Sequence, residues 1–228
     1  MHTARIAELL EPFLGETHDQ RLTANGTLLL EHISTYIDML LRWNARINLT
    51  AIRDPEEIVT RHFGESLFAA GVLFPGIYPV SSVGKGFDSA VVADVGSGAG
   101  FPGIPFKLWN PSINLTLIEA NHKKATFLRE VARCLTLTDI DVFNGRAEDL
   151  SRAHARFDVV TLRAVEHFED ALQISAALLI PGGRLALLIG SSQQSAATHT
   201  LPSFSWNPPR PIPLSQSRIL LVGTSPEH

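Results

Sequence analysis

The segment Val91-Val-Ala-Asp-Val-Gly-Ser-Gly-Ala-Gly-Phe-Pro-Gly103 decides the fold of this chain. Its apolar, β-branched start is typical of a buried parallel strand. Asp94 stands at the carboxyl end of that strand, and the glycines after it allow a tight turn and close approach of a ligand to the backbone. Pro102 is expected near the first turn of the next helix, where its missing N–H costs nothing. The segment therefore predicts a strand, a glycine loop and a helix that together cradle a nucleotide.

The order of residues in this segment favours one class of nucleotide over another. Gly98-Ala-Gly-Phe-Pro-Gly103 also fits a dinucleotide fold, in which glycine follows the strand directly and the helix amides meet a pyrophosphate. Here the carboxylate of Asp94 precedes the glycines and would repel a diphosphate. An anion at this place suits a ligand that carries an amine and a sulfonium, as S-adenosylmethionine (AdoMet) does. We therefore predict AdoMet as the cofactor, with an NAD-dependent oxidoreductase as an alternative.

Composition sets broad limits on the class of protein. The chain has 228 residues, 45% hydrophobic and 18% charged, with a net charge of −4, so any RNA contact must come from a local basic patch. Cys134 is the only cysteine, and its helical surroundings predict a buried thiol without a disulfide. The spacing of the nine histidines predicts no metal site. Without a secretory signal or a membrane-length apolar stretch, a cytoplasmic protein is expected.

Residues 1–73 are predicted to form a small helical unit. Apolar residues recur at helical spacing from Leu28 to Leu49, and Asp54-Pro-Glu-Glu57 is typical of a helix start, with Asp as N-cap and Pro at the first position. A connection rich in Gly, Pro and Ser is expected over residues 74–89.

Residues 90–228 are predicted to form an α/β domain. Strands and helices alternate after residue 90, which indicates a mostly parallel sheet covered by helices on both faces. The stretch from Ser217 to Gly223 is predicted to be a final, antiparallel strand.

Polar residues stand where the predicted strands end, and ligands bind beyond the carboxyl ends of such strands. Glu119 ends the second strand, where an acid can accept from two ribose hydroxyls; a surface carboxylate is the alternative. The Asn144–Glu148 segment ends the third strand and could read an adenine edge; helix capping by Glu148 is the alternative. Arg163 ends the fourth strand. Its guanidinium can donate two hydrogen bonds at once to a phosphate or to O6 and N7 of guanine; a solvated arginine is the alternative.

Two signatures of other base methylations are missing from the sequence. No Asn-Pro-Pro-Tyr or Asp-Pro-Pro-Tyr follows the fourth strand, which disfavours methylation of an adenine or cytosine amino group. The single cysteine lies in a predicted helix, which disfavours a covalent route to cytosine C5. Methylation at guanine N7 needs neither that motif nor a cysteine nucleophile, because N7 has a free lone pair and no proton to lose. Catalysis is then mainly positioning and charge arrangement.

Basic residues cluster in the N-terminal helices and on the helix after the second strand. We predict that they flank an RNA backbone; ordinary solvated helix faces are the alternative. The i, i+4 spacing would place Asn44 and Asn48 on one helix face, and likewise Arg42 and Arg46. The candidate RNA-binding residues are Arg42, Asn44, Asn48, Arg61, His62, Lys123 and Lys124.

These motifs resemble the family of 16S ribosomal RNA 7-guanosine methyltransferases, called RsmG or GidB. The similar pieces run in order from Leu40 to Gly190 and include the Trp-Asn-x-x-x-Asn-Leu-Thr string that ends at Thr50 and the glycine segment. The resemblance implies a Rossmann-like class I AdoMet-dependent methyltransferase fold and N7-methylation of one guanine in 16S ribosomal RNA. It also implies 16S ribosomal RNA or a 30S subunit assembly intermediate as partner, and we expect a monomer.

The resemblance implies roles for residues that match the family motifs. Arg146 and Arg163 match arginines on the RNA or catalytic side and are the predicted catalytic residues. With the strand and loop positions added, the predicted AdoMet-binding residues are Asp94, Gly96, Ser97, Gly98, Gly100, Phe101, Glu119, Ala147, Glu148 and Arg163.

The chain departs from the family pattern in three places. Glu65 stands where Asp is usual, Ile189 stands where many members have Lys, and the last strand lacks the usual terminal lysines. The missing lysines remove positive charge that would face RNA. Two further alternatives therefore stay open: a methyltransferase acting on another RNA or a small molecule, and an AdoMet-sensing or RNA-binding protein without turnover.

Overall fold

The computed structural model describes residues 1–14, 26–75, 89–152 and 156–227. Residues 76–88 of the predicted connection lie outside the described residues, as do residues 153–155 at the end of a predicted short helix. The helix start at Asp54 is confirmed, because its side chain accepts a hydrogen bond from the Glu57 amide and Pro55 occupies the first helical position. The N-terminal elements are α1 (Thr3–Leu14), α2 (Gly26–Asn44), α3 (Pro55–Glu57), a π-helix (Ile58–Gly64) and α4 (Glu65–Leu73).

The predicted helix from Leu28 to Leu49 ends early, at Asn44. The Asn44 side chain accepts hydrogen bonds from the Leu49 and Thr50 amides and donates one to the Thr50 carbonyl. A side chain that bonds the backbone in this way competes with helix continuation and stabilises a turn instead. The expectation that Asn44 and Asn48 share a helix face is therefore wrong, and so is the same expectation for Arg42 and Arg46, because Asn48 and Arg46 lie beyond the end of the helix.

The remaining elements form one mixed sheet with helices between its strands. The strand order is β3-β2-β1-β4-β5-β8-β6, and β7 also pairs with β8. Pairing is parallel from β3 to β5, whereas β8 runs antiparallel to β5. The strands are β1 (Val91–Val95), β2 (Asn114–Ile118), β3 (Ile140–Phe143), β4 (Phe157–Arg163), β5 (Leu179–Gly190), β6 (Ser205–Trp206), β7 (Arg210–Pro211) and β8 (Arg218–Thr224). The helices are α5 (Gly103–Trp109), α6 (His122–Cys134), α7 (Ala147–Arg152), α8 (Phe168–Leu178) and α9 (Gln194–Thr200). The predicted fold class is confirmed.

The sheet separates two hydrophobic clusters. Along β5, Leu185 and Leu187 face one cluster while Ala186 and Leu188 face the other, as alternation along a strand requires. The N-terminal helices pack into the second of these, where Ile33 and Phe63 join the sheet residues. The helical unit thus shares a core with the sheet, and the division at residues 1–73, 74–89 and 90–228 stays a prediction.

The expectation for Cys134 is wrong, because its thiol is exposed. The buried face of α6 carries Phe127, Leu128 and Val131, and the helix ends at Cys134 beside exposed Arg133. None of the helices in the described part of the chain has the length and apolar content needed to cross a bilayer.

Candidate active site

The glycine loop after β1 is fastened to the end of β2. The amides of Gly96 and Ser97 both donate to the Ile118 carbonyl at 3.0 Å, and the Ser97 hydroxyl donates to the Asp94 carbonyl at 2.8 Å. Gly96, Gly98 and Gly100 have φ values of 69°, 56° and 89°, a region that L side chains rarely adopt. The sequence therefore builds a turn whose backbone is open to a ligand, at the edge where the parallel strands end.

Asp94 lies behind this loop rather than on its open side. Its side chain is 1% exposed, and its Oδ2 accepts a hydrogen bond of 3.1 Å from the Gly103 amide at the start of α5. Burial raises the pKa of this carboxyl to about 7. A Cβ atom at Gly103 would lie 2.8 Å from Oδ2, so only glycine permits this contact. Asp94 thus holds the loop against α5, and its contact with a ligand amine stays a prediction.

Glu119 connects the ends of β1, β2 and β3. Its Oε2 accepts a hydrogen bond of 2.8 Å from the Gly98 amide, and its Oε1 accepts one of 2.7 Å from the Asn121 amide. Asn144, which follows β3, donates its side-chain amide to the Glu119 carbonyl. The Glu119 side chain is 7% exposed and still reaches the surface of a crevice at this edge.

That crevice, which we call the carboxyl-edge crevice, has a volume of about 610 Å³. It brings together Gly96, Glu119, Lys124, Arg146, Ala147 and Glu148, all of which the sequence analysis singled out. It also contains residues that the sequence analysis missed, on the loop after β4 and the first turns of α8. Among these are Val165, Glu166, His167 and Asp170. No sequence motif marked them, because only the fold places that loop opposite Glu119.

The charge of the carboxyl-edge crevice fits AdoMet better than a dinucleotide. Its ionisable lining consists of the carboxylates of Glu119, Glu148, Glu166 and Asp170, the cations of Lys124 and Arg146, and the histidine ring of His167. The carboxylates outnumber the Lys and Arg cations, which suits a sulfonium and an amine and disfavours a diphosphate. Both Glu119 and Glu148 line this crevice, and their contacts with the ribose and the adenine edge stay predictions.

Arg163, at the end of β4, points away from this crevice toward the N-terminal helices. Its side chain is 8% exposed, and its Nη2 donates to the Arg61 carbonyl at 2.6 Å and to Nδ1 of His62 at 3.2 Å. The same nitrogen lies 3.3 Å from Oε2 of Glu65. Burial lowers the pKa of Arg163 to about 10, so the guanidinium is still charged at neutral pH.

Glu65 is the centre of an arginine cluster, which we define as Arg61, Arg163 and Arg218 around this carboxylate. Arg61 lies 3.0 Å from Oε1, and Arg218 lies 2.8 Å from Oε2. The Glu65 side chain is 1% exposed, and Nη1 of Arg163 is buried without a hydrogen-bond partner among the described residues. Three cations around one anion leave a positive excess beside the carboxyl edge of the sheet. The sequence analysis did not identify Arg218, which approaches only because β8 inserts beside β5.

His62 is neutral and fixed in place. Its ring stacks on Phe101 of the glycine loop, with centroids 4.7 Å apart, and its Nε2 lies 2.8 Å from the Thr50 hydroxyl. Since the Arg163 guanidinium can only donate, Nδ1 of His62 accepts and Nε2–H donates to Thr50. Burial, with Arg163, Arg61 and Arg218 nearby, lowers the pKa of His62 to about 3.

The candidate RNA-binding residues divide by exposure. Arg42, Asn48 and Lys123 are exposed, and Lys124 is half-buried in the carboxyl-edge crevice. Asn44 is 5% exposed and uses its side chain on the turn that ends α2. Ile189, which stands where a lysine is usual, is 4% exposed in the core below the sheet. Within the described ranges, no group of three or more metal-ligating side chains occurs.

Comparisons with known sequences find a matching family model and similar proteins. A family model described as rRNA small subunit methyltransferase G (GidB) matches residues 29–205. The Ribosomal RNA small subunit methyltransferase G of Caldanaerobacter subterraneus subsp. tengcongensis is 38% identical over 164 residues, which cover 71% of this chain and 64% of that protein. The same-named protein of Chloroflexus aggregans is 40% identical over 172 residues, which cover 72% and 66%. This chain therefore spans just under two thirds of the length of both relatives.

Comparisons with solved structures show the fold. The predicted O-methyltransferase Atu636 from Agrobacterium tumefaciens matches with a TM-score of 0.53 and 19% identity, over 70% of this chain and 79% of that one. TrmN from Thermus thermophilus matches with a TM-score of 0.54 and 19% identity, over 73% of this chain and 53% of that one. Both likenesses agree with a class I methyltransferase sheet.

Proposed function

Because this chain belongs to the rRNA small subunit methyltransferase G family, we propose that it transfers a methyl group from AdoMet to N7 of one guanine in 16S ribosomal RNA. The observation that carries the cofactor assignment is the excess of carboxylates over Lys and Arg cations in the carboxyl-edge crevice. We further propose that the protein acts in the cytoplasm, as a monomer, on 16S ribosomal RNA or a 30S assembly intermediate.

AdoMet would supply an electrophilic methyl group, so that an N7–CH₃ bond forms as the S–CH₃ bond breaks. Guanine N7 carries no proton, and the chain therefore needs no general base at this step. The protein's contribution is to hold both partners in line. Glu119 and Glu148 would hold the nucleoside part of the donor, and the half-buried Lys124 and exposed Arg146 border the same crevice.

The arginine cluster would position the RNA side of the reaction. Arg163 and Arg218 present a positive excess next to the glycine loop, which suits the phosphates and the O6 edge of a guanine nucleotide. His62 stays neutral beside Arg163, so it adds no further positive charge and orients the guanidinium by accepting its N–H. Catalysis then depends on orientation and fixed charge rather than on proton transfer.

We expect Arg163→Lys to lower turnover on ribosomal RNA by at least tenfold while the Kd for AdoMet changes little. Lysine keeps the charge but has no counterpart of Nη1, the nitrogen that is left for the RNA while Nη2 donates to the Arg61 carbonyl and His62. Single-turnover methylation and calorimetry give the two quantities, with Arg210→Lys on exposed β7 as the control. Equal losses of turnover and AdoMet affinity would assign Arg163 to folding or to the cofactor site.

Two measurements test the proposed function itself. Titration calorimetry with AdoMet and NAD separates the cofactor classes, and tight NAD binding without AdoMet binding would overturn the assignment. Mapping N7-methylguanosine in 16S ribosomal RNA from a strain that lacks the gene, with and without the gene restored, tests the substrate. An unchanged inventory of N7-methylguanosine would point to another RNA or a small molecule as methyl acceptor.

A further inference from the structure

A second concave surface lies beside the first turn of α6, next to the carboxyl-edge crevice. It has a volume of about 850 Å³ and separates the end of α2 and its turn from the first half of α6. Arg42 and Arg46 stand on one wall and Lys123 on the other, with Trp43 and Ile47 between them. We call this surface the basic groove.

Among the residues that the structure describes, the cations of the basic groove form no ion pair. Arg42 donates only to the backbone carbonyl of Asp38, at 3.2 Å. Within residues 1–14, 26–75, 89–152 and 156–227, no carboxylate pairs with Arg42, Arg46 or Lys123. Glu130 is the one carboxylate among the residues that line the groove, and it lies two turns along α6 from Lys123. The groove is therefore positive on a chain whose net charge is −4.

The fold of the turn after Asn44 creates this surface. If α2 continued to Leu49, Arg42 and Arg46 would project from one helix face in a single row. Instead the Asn44 side chain accepts from the Leu49 amide, the Arg46 and Ile47 amides donate to the Trp43 carbonyl, and the Trp43 ring packs on Phe127 of α6. Arg42 and Arg46 therefore lie on the α2 side of the groove, and Lys123 lies on the α6 side.

The basic groove is continuous with the candidate active site through the first turn of α6. Lys123 lines the groove, and its neighbour Lys124 lines the carboxyl-edge crevice. His122 also lines the groove and bonds the side chain of Asn144 beside Glu119. An RNA strand whose guanine reaches the crevice can therefore place its flanking phosphates in the groove. The amides of Lys123 and Lys124 are already bonded to the Asn121 side chain, so the positive charge comes from side chains.

We propose that the basic groove binds the sugar–phosphate backbone of the RNA next to the target guanine, through Arg42, Arg46 and Lys123. This proposal rests on the proposed function and specifies where the RNA strand runs. Phosphates suit a concave row of exposed cations because such contacts are electrostatic and independent of sequence. Arg46 thereby joins the RNA-binding residues that the sequence analysis predicted.

The test is the salt dependence of RNA binding by an R42A/R46A/K123A variant. For single-stranded RNA, each cation that neutralises a phosphate contributes about 0.7 to the slope of log K against log salt, so removing three such cations flattens the slope by about 2. The variant, the wild type and an R5A/R156A/R210A control are titrated with a 16S ribosomal RNA transcript at several salt concentrations. The control removes the same number of charges from exposed positions outside the groove.

The expected result is a flatter slope and at least tenfold weaker binding at low salt for the groove variant alone. The Kd of each protein for AdoMet, measured by calorimetry, reports whether the variants are folded. Equal slopes for the groove variant and the control would overturn the groove proposal while leaving the proposed function intact. If the groove variant kept the wild-type slope but had no activity on 30S particles, the groove proposal would be overturned, and a ribosomal protein would be the groove's partner instead. Wild-type protein that binds AdoMet but no 16S ribosomal RNA would overturn both proposals.

Discussion

At the scale of single residues, the Glu119 carboxylate both holds the glycine loop and faces the carboxyl-edge crevice. Its carboxylate already accepts the amides of Gly98 and Asn121, and it faces the crevice where a ribose would lie. We expect Glu119→Ala to weaken AdoMet binding more than tenfold, which corresponds to about 1.4 kcal/mol or more. Calorimetry measures the loss, with the exposed Glu57→Ala as control. Near-normal affinity would refute a ribose contact.

The raised pKa of Asp94 predicts that the stability of the protein depends on pH. Burial raises its pKa from the ordinary value of 3.8 to about 7. Between these values the unfolded chain has released the proton while the folded chain retains it, so the free energy of unfolding falls as pH rises through this window. Asp94→Asn cannot ionise, and we therefore expect the wild type to lose stability relative to this variant from about pH 4 to pH 7. Above that window the difference should level off.

Thermal unfolding in a series of buffers measures this difference between Asp94→Asn and the wild type. Asp38→Asn, at an exposed position on α2, is the control and should give a curve parallel to that of the wild type. If the Asp94→Asn curve were also parallel to the wild-type curve, the Asp94 carboxyl would be ionised in the folded protein throughout this range.

At the scale of elements, the π-helix Ile58–Gly64 prepares the arginine cluster. Its wider turn presents Arg61 and His62 toward β4, and α4 begins directly after it with Glu65. π-Helical turns are frequent at functional sites because they re-aim side chains within a helix. Glu65 begins α4 directly after this π-helix, and its carboxylate lies between Arg61 on one side and Arg163 and Arg218 on the other.

We expect Glu65→Gln to lower the free energy of unfolding by about 3 kcal/mol, because removing one partner leaves buried charges uncompensated. Glu65→Asp keeps the charge and should cost less. Urea unfolding gives both values, with Glu8→Gln as a control on an exposed ion pair to Arg5 that should change stability little. A Glu65→Gln protein as stable as the wild type would show that the cluster does not need its anion.

Sequence patterns predicted the first strand, the glycine loop and the helix start at Asp54 because the signals for these features are local. The apolar run of β1, the glycine loop and the Asp54 cap each depend on neighbouring residues, and all three are present. Helix α9 was missed because Gln194–Thr200 has one buried residue and little apolar periodicity. The turn at Asn44 was missed because a side chain bonding residues five and six positions ahead leaves no periodic signal.

The candidate site could be predicted only in part, and for the same reason. Glu119 and Ala147 follow strands that the pattern identifies, so their place at the carboxyl edge could be inferred. Arg218 lies 153 residues from Glu65 in the sequence, and its contact depends on β8 entering the sheet antiparallel to β5. Contacts of this kind are set by topology, and a single sequence carries no local mark of them.

At the scale of the whole molecule, the N-terminal helices hold the glycine loop directly. The Tyr36 hydroxyl on α2 donates to the Ala99 carbonyl, and the Tyr36 ring stacks on Phe101 at 5.3 Å. RNA bound to the N-terminal helices and AdoMet bound at the loop would therefore share one rigid contact. Coupling between two ligands is reciprocal, so each would change the affinity of the other by the same factor.

We expect Tyr36→Phe to reduce this coupling, because it keeps the stacked ring but leaves the Ala99 carbonyl without its donor. The measurement is the Kd for AdoMet with and without 16S ribosomal RNA. Thr35→Val removes a hydroxyl from the preceding residue of α2, where it bonds only the Glu31 carbonyl, and serves as control. An unchanged ratio of the two Kd values in Tyr36→Phe would show that the two sites communicate by another route.

The exposed thiol of Cys134 has a practical consequence for such measurements. Because it is the only cysteine in the chain, a maleimide dye would attach at a single position, at the far end of α6 from Lys123. A helix of 13 residues is about 20 Å long, so the fluorophore would lie outside the groove but on the same helix. Energy transfer from that dye to a label on the 5′ or the 3′ end of a bound RNA would report which end lies nearer to α6.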